Sequence, residues 1–260
     1  IVKNVLPSSC SKRFATFSRK TTFGLTALIT LAVSKNRFPL LSSNPFWRPA
    51  IENGFYGVEF DIHTTKDGKW VVIHNESVEA MTDGEGMVAE YTLEEIRKLK
   101  IDSGNGIENY ENLKIPTFEE VLEKLKDTET APIIEIKSCD TRYLPGLKEI
   151  LENYGLDEKS SIISFEKEYL EKYRELDTDA KLQLLTSKIK KEDISWCIEN
   201  GVDTVSFNYF NFYKSINGWL AAKKNGIKLA AWTVDNTIYK DVMVLFGAEK
   251  ITTNKLIVKK

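Results

Sequence analysis

In the run Gly57-Val-Glu-Phe-Asp-Ile-His63, ionisable side chains alternate with apolar ones: Glu59, Asp61 and His63 against Val58, Phe60 and Ile62. A β-strand turns successive side chains to opposite faces, so this spacing places two carboxylates and an imidazole together and a hydrophobic set behind them. Carboxylates held out of water are costly unless something compensates their charge. A hard divalent cation, Mg²⁺ or Ca²⁺, takes oxygen ligands of this kind. The run Ile133-Ile-Glu-Ile-Lys137 repeats the pattern, with Glu135 and Lys137 on one face of an otherwise apolar strand. Three carboxylates and a lysine describe a cation-dependent site for an anionic substrate, the lysine neutralising charge that develops on phosphate oxygens. Internal salt bridges among the same groups are the alternative.

The chain has only two histidines, His63 and His74. His74 follows Val71-Val-Ile73 and opens onto Asn75-Glu76, where a strand leaves the core. Lys66-Asp67-Gly68 marks a tight turn, so Thr64 to His74 reads as a hairpin-like excursion that returns His74 beside the Glu59 and Asp61 strand. There it would stand near the metal as a general acid. A structural role is the alternative for a lone histidine at a strand end.

These residues need a scaffold. Short β-rich runs at 57–63, 132–137, 160–165, 181–185, 204–207, 227–233 and 249–252 alternate with charged helical stretches at 144–154, 167–175, 190–200, 215–225 and 236–246. Gly155, Gly201, Gly226 and Gly247 follow these helices, as C-terminal caps do. Alternating β and α with apolar strands implies a parallel sheet covered by helices. With Leu28 to Val33 as a first strand the count is eight, which indicates a (β/α)₈ TIM-type barrel with its active site at the C-terminal strand ends. A doubly wound open sheet is the runner-up, and no Gly-rich phosphate loop supports it. The connection from His74 to Pro132 is longer than a plain βα loop. It reads as a small insertion after the second strand, about residues 76–130, on the active-site side of the barrel, with helical patches at 92–100 and 117–126 around a Gly/Asn-rich loop at 103–112; an ordinary surface elaboration is the alternative.

The 260 residues fit one such domain. Apolar residues at 42 % and charged residues at 28 % exclude wholesale disorder and a polytopic membrane protein. A net charge of −2 gives no nucleic-acid footprint, and Cys10, Cys139 and Cys197 form neither a disulfide framework nor a zinc motif. Charge is uneven, however. Residues 1 to 51 hold eight basic side chains and no acidic one, leaving the rest of the chain at −10. Residues 1–26 are therefore set apart from a barrel domain at 27–260. The basic start is open to three readings: a targeting segment with Ala32-Val33-Ser34 as a cleavage-like site, a stretch whose apolar part, Leu28 to Val33, is simply the first buried strand of the domain, or a corrupted sequence. The run Phe23 to Val33 is too short to span a bilayer. The cytoplasm is the default location, with secretory or organellar targeting as the alternative.

The run from Ala50 to Asn75 closely resembles the glycerophosphodiester phosphodiesterase family. Further matches are Tyr91-Thr-Leu-Glu-Glu-Ile-Arg97, Ile115-Pro-Thr-Phe-Glu-Glu-Val-Leu122, Ile134-Glu-Ile-Lys137, Ile163-Ser-Phe165, Ala231-Trp-Thr-Val234 and Ile251-Thr-Thr-Asn254. They cover the chain from about residue 50 to its end. The resemblance implies a (β/α)₈ barrel that cleaves glycerophosphodiesters, its small-molecule substrate, to an alcohol and glycerol 3-phosphate with a divalent cation. Carried over by position, Glu59, Asp61 and Glu135 would be metal ligands, His74 one of two acid/base histidines, Lys137 a catalytic phosphate contact and Trp232 an apolar wall of the substrate pocket. The family's opening His-Arg-Gly motif, with the Pro-Glu-Asn-Thr-like segment after it, is absent. Val33 or Ser34 stands where its histidine would fall, and no histidine precedes His63. His63 is the one substitute available, and it is not expected to take that role. Two functions follow: a phosphoric diester hydrolase, or a catalytically impaired barrel that binds metal or phosphodiester.

Overall fold

A computed structural model describes residues 28–32, 47–103 and 112–255. The basic start at 1–26, Val33-Ser34 and most of the loop at 103–112 lie outside the described residues.

Nine strands are present among the described residues: β1 (Leu28–Ala32), β2 (Gly57–Thr64), β3 (Trp70–Val72), β4 (Ala131–Ser138), β5 (Ser161–Ser164), β6 (Lys181–Thr186), β7 (Thr204–Asn208), β8 (Lys228–Trp232) and β9 (Lys250–Thr253). All except β3 run parallel, in the order β1-β9-β8-β7-β6-β5-β4-β2, and β1 also pairs with β2. That last pairing sets Ala32 beside Glu59 and closes the sheet on itself. The fold is a (β/α)₈ barrel; an open doubly wound sheet has two edges and no such pairing.

Eight α-helices accompany the strands among the described residues: α1 (Trp47–Glu52), α2 (Leu93–Ile96), α3 (Phe118–Leu125), α4 (Leu144–Asn153), α5 (Lys167–Leu176), α6 (Lys191–Glu199), α7 (Ile216–Asn225) and α8 (Thr237–Leu245). Local chemistry sets their ends. Thr117 accepts from the Glu120 amide and Glu120 returns the bond to the Thr117 amide, a capping box that starts α3. Asn236 caps α8 through the Ile238 and Tyr239 amides. Gly226 ends α7 at φ +73°, a conformation that costs other residues a steric penalty. The patch at 92–100 forms only the single turn α2, because Arg97 caps it and the chain then tightens through Leu99 to the Ile96 carbonyl.

The strands bury both faces. Val58, Phe60 and Ile62 lie in the large outer core between sheet and helices, where the rings of Phe60 and Phe118 are 6.1 Å apart. A second, inner cluster of Ala131, Ile133, Ile163 and Leu185, with Tyr56 and Trp232 packed on it, fills part of the barrel. The expected excursion is there as well: β3 runs antiparallel to β2, pairing Ile62 with Val72 and Thr64 with Trp70. Gly68 makes the turn at φ +73°, and a Cβ there would strike the Tyr143 ring.

Candidate active site

β2 and β4 are neighbours, with Asp61 paired to Glu135 in the register. The alternation on each strand therefore brings Glu59, Asp61 and Glu135 to one spot inside the barrel, where one oxygen from each lies within 4.8 Å of the others. All three are buried. Lys137 reaches back over them, its Nζ 2.5 Å from Glu135 Oε1 and 3.2 Å from Asp61 Oδ1.

The electrostatics follow from burial and crowding. Glu59 is held well above the usual carboxylate range by desolvation first, then by Asp61 and Glu135, with Lys137 opposing. Desolvation and Asp61 push Glu135 up to about 7, again against Lys137. Burial works against the charge on Lys137, but Asp61 and Glu135 outweigh it and raise the ammonium to about 12. Three carboxylates face one ammonium, so ionising the whole cluster leaves negative charge that the neighbouring lysine cannot balance. Hard oxygen donors at this separation fit a divalent cation of the Mg²⁺ or Ca²⁺ type.

These groups line a cavity of about 370 Å³ that also takes in His74, Phe165, Gln183, Leu185, Ser206, Trp232, Lys250 and Thr252. His74 arrives from the β3 excursion, which the Ile73 amide ties to the Asp61 carbonyl at 3.2 Å. Its Nδ1 is 2.6 Å from Asn75 Oδ1. With Nδ1–H donating there, Nε2 is the ring nitrogen that can carry a proton to and from a ligand. Trp232 stands edge-on to Phe165 at 5.8 Å and donates Nε1–H to the Ser206 carbonyl at 3.2 Å. Lys137 Nζ lies 5.7 Å from the centre of the Phe165 ring.

His63 goes elsewhere. The register between β2 and β4 shifts at Ile62/His63, and the imidazole packs beneath the excursion, 1 % exposed, with Nε2 3.4 Å from the His74 carbonyl oxygen. It is not among the residues that line the cavity. Burial lowers it to about 4 against the opposing His74 carbonyl, with Lys137 and His74 adding to the fall. The sequence reading missed Gln183 and Ser206, which are cavity-lining residues from β6 and β7. Their only signal is a polar side chain at an alternate position of each strand.

A closed (β/α)₈ barrel that gathers carboxylates, a lysine and a histidine around one interior cavity is the framework of a barrel hydrolase with an acidic centre suited to a metal. Residues 46–258 match the model of the Glycerophosphoryl diester phosphodiesterase family. The chain belongs to this family of phosphoric diester hydrolases. It is 36 % identical over 214 residues to a glycerophosphodiester phosphodiesterase of Caldanaerobacter subterraneus, covering 80 % of this chain and 86 % of that one. A glycerophosphodiester phosphodiesterase of Bacillus subtilis is 31 % identical over 219 residues, 76 % of this chain and 73 % of the relative. In fold it is similar to an Oleispira antarctica phosphodiesterase solved with the product sn-glycerol-3-phosphate, at a TM-score of 0.77 and 19 % identity over 88 % of this chain and 93 % of that one. Among the described residues no helix is long and apolar enough to cross a membrane.

Proposed function

We propose that this chain hydrolyses glycerophosphodiesters to an alcohol and glycerol 3-phosphate, a step of lipid metabolism carried out in the cytoplasm. The observation that supports it is the convergence of Glu59, Asp61, Glu135, Lys137 and His74 on one cavity. Glu59, Asp61 and Glu135 would hold a divalent cation, Mg²⁺ or Ca²⁺, which when bound supplies Lewis-acid stabilisation of the phosphate oxygens. Lys137 offsets charge on the same oxygens from the other side. A water oxygen bonds to phosphorus as the bond from phosphorus to the alcohol oxygen breaks; His74 Nε2 delivers the proton that this alcohol oxygen needs as it leaves, and the proton given up by the water restores His74. Trp232 and Phe165 form the apolar wall against which the substrate lies and water is excluded.

A second reading, a barrel that binds metal and phosphodiester without turnover, is favoured by one specific observation. The only other histidine, His63, is buried behind the His74 backbone, so a second imidazole for proton abstraction is missing. Losing one acid/base partner costs about 10²- to 10⁴-fold in rate. The test is release of glycerol 3-phosphate from glycerophosphocholine by the purified chain with Mg²⁺ or Ca²⁺ and with chelator. Metal-dependent release that disappears in Glu59→Gln supports the hydrolase. Cation binding through Glu59 with no release favours the binding module.

A further inference from the structure

Gln183 sits on the cavity wall on β6, 3 % exposed, and its Nε2 makes no hydrogen bond among the described residues. A buried donor left unpaired loses its hydration without compensation, and native interiors keep few of them. Neither strand neighbour relieves it. In the register Gln183 lies between Ile163 on β5, which has no polar side-chain atom, and Thr204 on β7, whose hydroxyl donates to Asp203. The other polar group nearby, Ser161 Oγ, is itself buried and unpaired.

The position of Gln183 says what it could bind. It is in register with Ile163, and Ile163 with Glu135, so two strand spacings, about 10 Å along the sheet, separate it from Glu135, and Asp61 lies one strand further on. Ser206, on the next strand and beside Leu185 in the register, adds a second polar residue to the same wall. The cavity thus has a charged side of Glu59, Asp61, Glu135 and Lys137, a neutral hydrogen-bonding wall of Gln183 and Ser206 on β6 and β7, and Lys250 and Thr252 on β9. A ligand that fits the charged side and the neutral wall is an anion carrying hydroxyl groups a few bonds away. The terminal torsion of a glutamine side chain is broad, so a ligand hydroxyl can draw the amide into the cavity with little rotamer penalty.

We propose that Gln183 is the specificity residue for the hydroxyl-bearing side of the substrate, its amide hydrogen-bonding the free hydroxyls of a glycerol head whose phosphate lies at Lys137. This rests on the phosphodiester reading of the site and extends it to how glycerol is told from other alcohols. A site built to pair a hydroxyl rejects the analogue lacking it, because its own polar group is then left unpaired.

Calorimetric titration of the chain in Ca²⁺ with sn-glycerol 3-phosphate and with n-propyl phosphate, which keeps the phosphate and lacks the hydroxyls, tests this. The wild type should bind glycerol 3-phosphate at least about 10-fold more tightly. Gln183→Leu should erase that preference and leave propyl phosphate affinity unchanged. Gln183→Met, unbranched and of similar length, should do the same if the leucine variant melts early. A preference retained in a folded variant, or equal losses for both ligands, overturns the assignment. If the wild type binds neither ligand, the phosphate site itself fails and the assignment with it. If it binds both equally, only the role of Gln183 falls.

Discussion

The Lys137 ammonium lies 3.2 Å from Asp61 Oδ1, an ion pair that ties β4 to β2 inside the barrel and leaves Asp61 4 % exposed. It joins the one cation of the cluster to a strand that carries two of its three carboxylates. Lys137 therefore holds the acidic site together, and in the proposed function it also faces the substrate phosphate.

Replacing that lysine should separate the two roles. Lys137→Met leaves Asp61 and Glu135 without their cation, and breaking a buried pair on one side costs on the order of 3 kcal/mol. The metal-free variant should melt well below the wild type at pH 8, where the carboxylates are ionised most. Added Ca²⁺ should recover most of the loss, while turnover stays depressed at least about 10²-fold. Thermal melts with and without cation, beside the hydrolysis assay, check it; a variant as stable as the wild type in chelator would contradict the charge balance described above.

Glu135 gives the metal-free chain a pH signature. Its carboxyl is raised to about 7 from an ordinary 4.5, so between those values the folded chain binds more protons than the unfolded one. Stability from this group is therefore lost as pH rises through that window. Glu135→Gln should flatten this part of the profile in EDTA and abolish the gain in melting temperature that Mg²⁺ or Ca²⁺ gives the wild type.

His63 acts with the opposite sign. It is neutral when buried and lowered to about 4 from 6.5, so the unfolded chain binds the extra proton between these values. Stability falls as pH drops from 6.5 to 4, by up to about 3 kcal/mol. His63→Gln should remove this acid sensitivity and leave any turnover at pH 7.5 within about threefold of wild type. Abolished turnover in a folded His63→Gln protein would mean that the buried imidazole reaches the substrate after all.

His74→Ala should cut turnover by about 10²- to 10⁴-fold while cation affinity stays near that of the wild type, because the imidazole is asked to carry a proton and not to hold the metal. Diesters with a very acidic leaving alcohol, such as nitrophenol, should lose much less, since they leave without a proton. An equal loss for both substrate types would remove His74 from the acid role.

Much of this site can be read from two strands. The two-residue period alone places Glu59 with Asp61 and Glu135 with Lys137, because pleating obliges alternate side chains to share a face whatever surrounds them. The strand and helix alternation, with glycines behind the helices, likewise points to the parallel barrel, since local capping and burial patterns survive without knowledge of distant contacts.

Tertiary structure decided the rest, where the outcome depends on which strands meet. The period puts His63 on the same face as Asp61, yet the register shift at Ile62/His63 and the returning β3 excursion bury it under the His74 backbone. Gln183 is one polar residue in the apolar strand Lys-Leu-Gln-Leu-Leu-Thr. It becomes part of the site only because the sheet closes and brings the interior of β6 opposite β2. Periodicity is a property of a single strand, whereas closure and register are set by long-range pairing and packing that no local run of residues encodes.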